Sequence, residues 1–212
     1  MSKKPLICVP APHIKTRIKQ ALLDYKKTWE SDPLVFEELC FCLLTPQSSA
    51  KQAMKTINAL KQNNLLHTGN SSQKEPFVKN VRFFRTKSKR LVQAQEQFPQ
   101  HKIKKILCEN GLQEDVLKCR EFLHETVNGY GLKESSHFLR NIGFGENVAI
   151  LDRHILKNLV KCGVIDSLPK HLSKKVYLEI EEKMRKFCRK YKISLAELDL
   201  IFWSNETGEV LK

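Results

Sequence analysis

Residues 127–140, with the sequence VNGYGLKESSHFLR, contain the pattern that decides the fold of this chain. Gly129 and Gly131 separate one helical pattern that ends near residue 127 from a second that begins at Lys133. Glycine permits a tight hairpin and the close approach of another backbone. The first N–H groups of the second helix have no partner within that helix, and the helix dipole favours an anion there. We therefore predict a helix-hairpin-helix at about 126–135 that contacts the phosphates of DNA rather than its bases.

The rest of the chain has a helical pattern almost throughout. Apolar residues recur at helical spacing from Ile14 to Tyr25, and Ser31 followed by Asp32-Pro33 predicts a capped helix start. Further helices are predicted at about 34–44, 48–61, 86–97, 102–109, 113–127, 133–142, 153–162, 173–189 and 194–203. Residues 63–76 are predicted to form a polar loop. No strand alternation is evident, so the predicted fold class is all-α.

The charge of the chain predicts a polyanionic partner. Lysine and arginine number 37 against 23 aspartates and glutamates, which gives a formal net charge of +14 over 212 residues. Nucleic acid is the usual partner of such a surface, although charge alone does not separate DNA from RNA or from an acidic membrane. The hydrophobic fraction of 41% fits a globular chain.

The seven cysteines indicate reduced thiols rather than disulfides or zinc ligands. Their number is odd, no C-x-x-C pair occurs, and several lie in apolar helical patterns. No segment has the length of a membrane span, and the N-terminus leads into no long apolar region. We expect a soluble cytoplasmic protein.

Lys133 and Asp152 are the candidates for chemistry. Taken alone, Lys133 could be an ordinary surface lysine and Asp152 a helix N-cap. A capping carboxylate is also a rigidly positioned one, so the second interpretation is compatible with a catalytic role. One helix and a return loop fit between the two residues and could bring their side chains to the same cleft.

The hairpin, the lysine after its second glycine, and the segment Leu151-Asp152-Arg153-His154 resemble the helix-hairpin-helix DNA glycosylase superfamily. The resemblance implies that Lys133 is the catalytic lysine and Asp152 the catalytic aspartate. It extends upstream, where Gln47 matches a residue that helps to fill the gap left by the extruded base. The hairpin departs from the common Leu-Pro-Gly-Val-Gly form, which leaves its phosphate-binding geometry unaffected.

Three features narrow the resemblance to the small 8-oxoguanine glycosylase/lyases of archaea and some bacteria. Only Cys162 and Cys188 follow Asp152, too few for the iron–sulfur cluster of endonuclease III, so neither cofactor nor metal is expected. The alkylated-base glycosylases lack the lysine. The ending Gly-Glu-Val-Leu-Lys matches the group in which a C-terminal lysine recognises the base, which assigns that role to Lys212.

The remaining candidates are aromatic or basic. Trp203 and Phe202 lie near the end of the last predicted helix, where either could stack on a flipped base, although Phe202 is the better candidate for a core residue. Arg85 lies in a basic, aromatic-containing run at 82–90 that could contact DNA or form a solvated face. A hydrogen bond is the favoured role of His154.

The resemblance implies a single unit over 1–212 with two helical lobes flanking a cleft. One lobe would comprise about 31–125, the other about 1–30 together with 136–212, and the hairpin would lie between them. The implied activity is excision of 8-oxoguanine from double-stranded DNA through a Schiff base on Lys133, followed by β-elimination, by a monomer associated with the nucleoid. Alternatives are an endonuclease III-type enzyme for oxidised pyrimidines, a non-catalytic DNA-binding module, and a catalytically dead descendant.

Overall fold

The computed structural model describes residues 10–210, and within that range eleven α-helices form the architecture. They are α1 (Pro12–Thr28), α2 (Asp32–Leu44), α3 (Ala50–Gln62), α4 (Ser71–Val78), α5 (Phe84–Gln97), α6 (Ile103–Glu109), α7 (Val116–Thr126), α8 (Leu132–Asn141), α9 (Arg153–Lys161), α10 (Lys174–Tyr191) and α11 (Leu195–Thr207). Short 3₁₀ turns occupy Pro99–His101 and Gly145–Asn147. The predicted all-α class is confirmed. Over the same range, no helix combines the length and the apolar character that a bilayer crossing requires.

The helices enclose two apolar cores. The first is built around α2, whose Phe36 and Leu39 are fully buried, and extends through α3 to α8. The second is formed by α1, α9, α10 and α11. Helix α8 contributes to both, since Phe138 lies in the first core and Leu132 in the second. Burying such side chains stabilises each core by about 1.5–3 kcal/mol per residue. Helix α8 therefore lies where the two cores meet, while the lobe boundaries given above stay a prediction.

Six of the eleven helices in the described range begin at a residue whose side chain caps them, and the other five have no side-chain capping bond. Ser49 caps α3 through its side-chain oxygen, and Asp152 caps α9 in the same way, which is the N-cap role that the sequence allowed for Asp152. Ser31 stands at the N-cap of α2 but makes no side-chain capping bond. Pro33, at the second helical position, has no N–H to donate to such a cap.

The predicted loop at 63–76 is wrong in its second half, because α4 begins at Ser71. Asn70 and Gln73 form a reciprocal capping box: Gln73 N–H donates to Asn70 Oδ1 at 3.0 Å, and Asn70 N–H donates to Gln73 Oε1 at 2.8 Å. This pattern stabilises a helix start even in a polar sequence. Pro76 lies inside the helix without ending it.

The cysteines of the described range are free thiols, and most of them are buried. Burial raises the pKa of Cys40 and Cys42, which face the interior from α2. Burial likewise raises the pKa of Cys119 and of Cys188 to about 12. Their role is therefore one of apolar packing.

Candidate active site

The hairpin between α7 and α8 is held by its glycines and by Tyr130. Gly129 has φ +101°, a left-handed conformation that favours glycine, and a Cβ there would lie 2.6 Å from Arg90 Nε. The buried Tyr130 donates its hydroxyl to Leu39 O at 2.9 Å. Gly131 has an extended backbone, with φ −97°. Its lack of a side chain therefore leaves the helix start open, as a phosphate-binding site requires.

Lys133 stands in the first turn of α8, directly beyond this hairpin. Its side chain is 26% exposed, and its Nζ lies 3.1 Å from Glu134 Oε1. The other oxygen of Glu134 accepts a hydrogen bond from Gly131 N–H at 3.2 Å. Glu134 therefore links the lysine to the hairpin that precedes it.

A cavity of about 590 Å³ brings the separate candidates together. Its walls come from the loop between α2 and α3, the start of α3, α8, the segment before α9, the start of α9, and α11. The lining residues are Thr45, Gln47, Ser48, Ser49, Ala50, Lys133, His137, Arg140, Ile150, Asp152, Arg153, His154, Asp199 and Trp203. The volume is in the range of ligand sites and large enough for a nucleobase with its sugar.

Asp152 is held in this cavity by α9. Its Oδ1 accepts the backbone N–H of Ile155 at 2.8 Å, so the carboxylate is fixed at the N-cap. Such a cap contributes about 1 kcal/mol to helix stability and also restricts the side chain.

The extended segment before Asp152 is held by α10. Ala149 N–H donates to Glu181 Oε1 at 2.7 Å, and the Tyr177 hydroxyl donates to Ala149 O at 2.5 Å. Glu181 is fully buried and also pairs with Arg120 of α7, at 2.5 and 3.0 Å. The backbone that presents the candidate aspartate is therefore connected to a buried ion pair.

The floor of the cavity contains a second carboxylate. Asp199 of α11 lies with its Oδ2 3.7 Å from Arg140 Nη1, and Arg140 also donates to the Tyr25 hydroxyl at 2.9 Å. Burial raises the pKa of Asp199 to about 6, and the negative charge of Asp152 acts in the same direction. The positive charge of Arg140 acts in the opposite direction.

Trp203 and His154 form the rim. Their rings meet edge to face with 5.6 Å between centroids, and His154 Nδ1 lies 2.5 Å from Glu206 Oε2. His154 thus makes the hydrogen bond predicted for it. Phe202 is buried in the second core, whereas Trp203 is partly exposed and faces the cavity.

The family model of 8-oxoguanine DNA glycosylase matches residues 18–193 of this chain. The chain belongs to the 8-oxoguanine DNA glycosylase family. It is 44% identical over 203 residues to an 8-oxoguanine DNA glycosylase/AP lyase from Fusobacterium nucleatum, covering 94% of this chain and 93% of that protein. It is also 40% identical over 179 residues to the enzyme of that name from Methanocaldococcus jannaschii, covering 84% of this chain and 82% of that protein.

Solved structures of the same family have the same fold. The Methanocaldococcus jannaschii 8-oxoguanine glycosylase/lyase in complex with a 15mer DNA containing 8-oxoguanine superposes with a TM-score of 0.82 at 35% identity, over 93% of each chain. The 8-oxoguanine DNA glycosylase of Thermotoga maritima gives a TM-score of 0.83 at 29% identity, over 94% of this chain and 93% of that one.

Three of the predicted site residues, Gly129, Gly131 and Arg85, do not line the cavity. Arg85 is exposed, with its guanidinium 5.5 Å from the Phe84 ring, and it does not line the cavity. Lys212 lies outside the described residues. Nearby, Glu209 pairs with Lys51 of α3 at 2.8 Å, which places the end of the described chain next to the cavity-lining Ala50.

Sequence reasoning missed three groups around the site: Asp199, Arg140 and Glu181. Each is a charged residue in a helix, where the ordinary expectation is a solvent-exposed side chain. The signal that could have found Arg140 is its place seven residues after Lys133, two turns further along the same face of α8. The pairing of Glu181 with Arg120 spans two distant helices and leaves no local signal.

Proposed function

We propose that this chain is an 8-oxoguanine DNA glycosylase/AP lyase in which Lys133 is the nucleophile and Asp152 its electrostatic partner. The observation that carries the proposal is the meeting of these two side chains in one nucleobase-sized cavity, directly beyond a hairpin suited to phosphate. Membership of the family and the names of the similar proteins support the same activity.

The damaged nucleotide would have to leave the duplex to reach this cavity. Extrusion costs roughly a few kcal/mol, which phosphate contacts offset. The hairpin at Gly129 and Gly131 would supply such contacts, and Arg85 would add one from the exposed start of α5. Gln47, exposed on its loop beside the cavity, would occupy the gap that the base leaves in the stack.

Lys133 would then attack C1′ of the extruded nucleotide as a neutral amine. The N-glycosidic bond breaks with its electron pair leaving on the base, and the base takes up a proton. Asp152, fixed as an anion at its N-cap, would stabilise the positive charge that develops on the sugar. The nitrogen then loses a proton and the C1′–O4′ bond opens, with O4′ taking up a proton, which gives an imine between Lys133 and C1′. The imine acidifies the C2′ protons, so loss of one of them breaks the C3′–O bond, expels the 3′ phosphate and cuts the strand.

Base recognition would fall to the rim and to the end of the chain. Trp203 presents a partly exposed ring to the cavity and would stack on the flipped base. A backbone carbonyl would accept the N7–H that distinguishes 8-oxoguanine from guanine, and Lys212 would contribute to recognition of the base. Deleting Lys212 should therefore reduce the preference for 8-oxoguanine over guanine, measured as the ratio of their excision rates.

We also propose that the protein acts as a monomer on double-stranded DNA of the nucleoid. One copy of the chain supplies both Lys133 and Asp152, so the proposed chemistry needs no residue from a second subunit, and the net charge of +14 favours binding to any DNA duplex. Sedimentation with and without a short duplex would test the one-to-one stoichiometry.

Borohydride trapping on a duplex with one 8-oxoguanine tests the central proposal. The wild type should form a covalent adduct, and Lys133→Gln should form none. Lys157→Gln, which changes an exposed lysine of α9, is the matched control and should trap like the wild type. Duplex binding without any adduct would contradict the lyase and leave a water-using glycosylase or a binding module. A stronger adduct with an oxidised pyrimidine would favour the endonuclease III-type alternative.

A further inference from the structure

A buried lysine lies beneath the loop that connects α2 to α3. Lys87, in α5, is only 1% exposed. Its Nζ donates to Leu44 O at 2.6 Å, to Pro46 O at 2.7 Å and to Ser48 Oγ at 3.2 Å. All three donors of the ammonium group are thereby used on the end of one helix and the loop that follows it.

That loop has a backbone conformation that needs such support. Gln47, between two of the acceptors, has φ +55°, in the left-handed region that side-chain-bearing residues rarely adopt. Strained residues of this kind persist when surrounding contacts determine the conformation. Ser48 Oγ also accepts a hydrogen bond from Arg82 N–H at 3.0 Å. The loop is therefore held both by Lys87 of α5 and by Arg82 in the turn before that helix, and Gln47 is left exposed at the cavity.

We propose that Lys87 is a positioning residue for base excision: its ammonium group holds residues 44–48 in the shape that directs Gln47 to the extruded nucleotide's place in the duplex. This inference rests on the proposed function. It predicts that Lys87 affects the step in which the damaged base is extruded and held, while general affinity for DNA depends on exposed cations elsewhere.

The environment of Lys87 makes the strength of its hydrogen bonds to this loop dependent on pH. Burial lowers the pKa of Lys87 to about 8, and the positive charges of Arg90 and Lys133 act in the same direction. Glu134 acts in the opposite direction. Above that pH the amine is neutral, so its hydrogen bonds to the carbonyls of Leu44 and Pro46 lose the strength that a charged donor gives them.

The chain contains a matched control in Lys74 of α4. Lys74 is also completely buried, and burial lowers its pKa to about 8 as well. Its Nζ donates to Leu65 O, and to Thr68 O at 2.6 Å, in the connection between α3 and α4. Neither carbonyl lines the cavity. Replacing Lys74 therefore removes a comparable buried ammonium group without touching the loop that carries Gln47.

The test compares Lys87→Met with Lys74→Met in single-turnover excision of 8-oxoguanine and in binding to an undamaged duplex. Lys87→Met should slow excision by about 10-fold or more, because small displacements of positioning groups are costly, and should change binding by less than about 2-fold. Lys74→Met should leave both quantities unchanged once thermal denaturation has shown that it is folded. Gln47→Ala combined with Lys87→Met should slow excision no more than the larger single effect, because both act through one loop.

Equal excision by the two lysine variants, or multiplicative effects of Gln47→Ala and Lys87→Met, would overturn the inference. If Lys87→Met does not fold, Lys87→Arg can be tested instead, because arginine stays positively charged between pH 7 and pH 9. The excision rate of Lys87→Arg divided by that of the wild type should rise from pH 7 to pH 9, and a constant ratio would overturn the inference. Absence of excision by the wild type itself would instead refute the proposed function.

Discussion

The buried pair between Glu181 and Arg120 predicts a large and specific effect of Glu181→Gln. The side chain of Glu181 is 0% exposed and that of Arg120 is 4% exposed. The carboxylate of Glu181 accepts hydrogen bonds from two guanidinium nitrogens of Arg120 and from Ala149 N–H. Removing its charge leaves the Arg120 cation buried without compensation, which costs about 3–5 kcal/mol of unfolding free energy. For a chain of this size that corresponds to a fall in Tm of roughly 6–20 °C.

Glu182→Gln is the matched control for this prediction, one residue further along α10. Glu182 is 43% exposed and pairs with Arg185 at 2.9 Å and Arg189 at 3.2 Å, so its loss should cost about 0–1 kcal/mol. Urea unfolding at pH 7 measures both values. Because Ala149 lies three residues before Asp152, Glu181→Gln should also slow excision below the unfolding range, whereas Glu182→Gln should not. Equal losses of stability in the two variants would refute the reasoning.

Two further predictions concern the hairpin and the response to acid. Gly129→Ala and Gly163→Ala should each cost about 1 kcal/mol in urea unfolding, because both backbones are left-handed, with φ +101° and φ +66°. Only the first should weaken duplex binding in a titration, since its new Cβ displaces the side chain of Arg90 from the hairpin, and equal binding would contradict this. Burial and the neighbouring His101 lower the pKa of His67 to about 4, so the unfolded chain takes up a proton below pH 6.5 while the native one does not. Stability should fall by up to about 2 kcal/mol from pH 7 to pH 5, and by less in His67→Leu; an equal fall would exclude His67 as the cause.

The sequence predicted those parts of the site that depend on local patterns. The glycines at 129 and 131 interrupt a helical pattern, so the hairpin could be found without knowledge of any distant contact. Asp152 is preceded by an apolar run and followed by a helix, which is the arrangement of an N-cap, and the structure has that cap. Phe202 and Trp203 are neighbours near the end of α11 and therefore point in different directions. Phe202 is buried in the second core, and Trp203 faces the cavity.

The parts that could not be predicted depend on long-range contacts or on competing local signals. Lys87 lies in a run of basic residues that is typical of a solvated surface, yet its acceptors belong to another helix and loop. In the segment at 63–76, polar composition and Pro76 outweighed the capping pattern of Asn70 and Gln73. Asp199 lies in the apolar sequence of α11, and only the fold shows that it reaches the cavity floor.

The burial of the thiols affects how the protein withstands oxidative stress. Peroxides attack the thiolate rather than the thiol, so a cysteine held in its protonated form reacts slowly. Cys40, Cys42, Cys119 and Cys188 all have a raised pKa because they are packed in the two cores. A cell that accumulates 8-oxoguanine is one in which unprotected proteins are also being oxidised. The packing of this chain therefore shields its scaffold from the same reagents that create its proposed substrate.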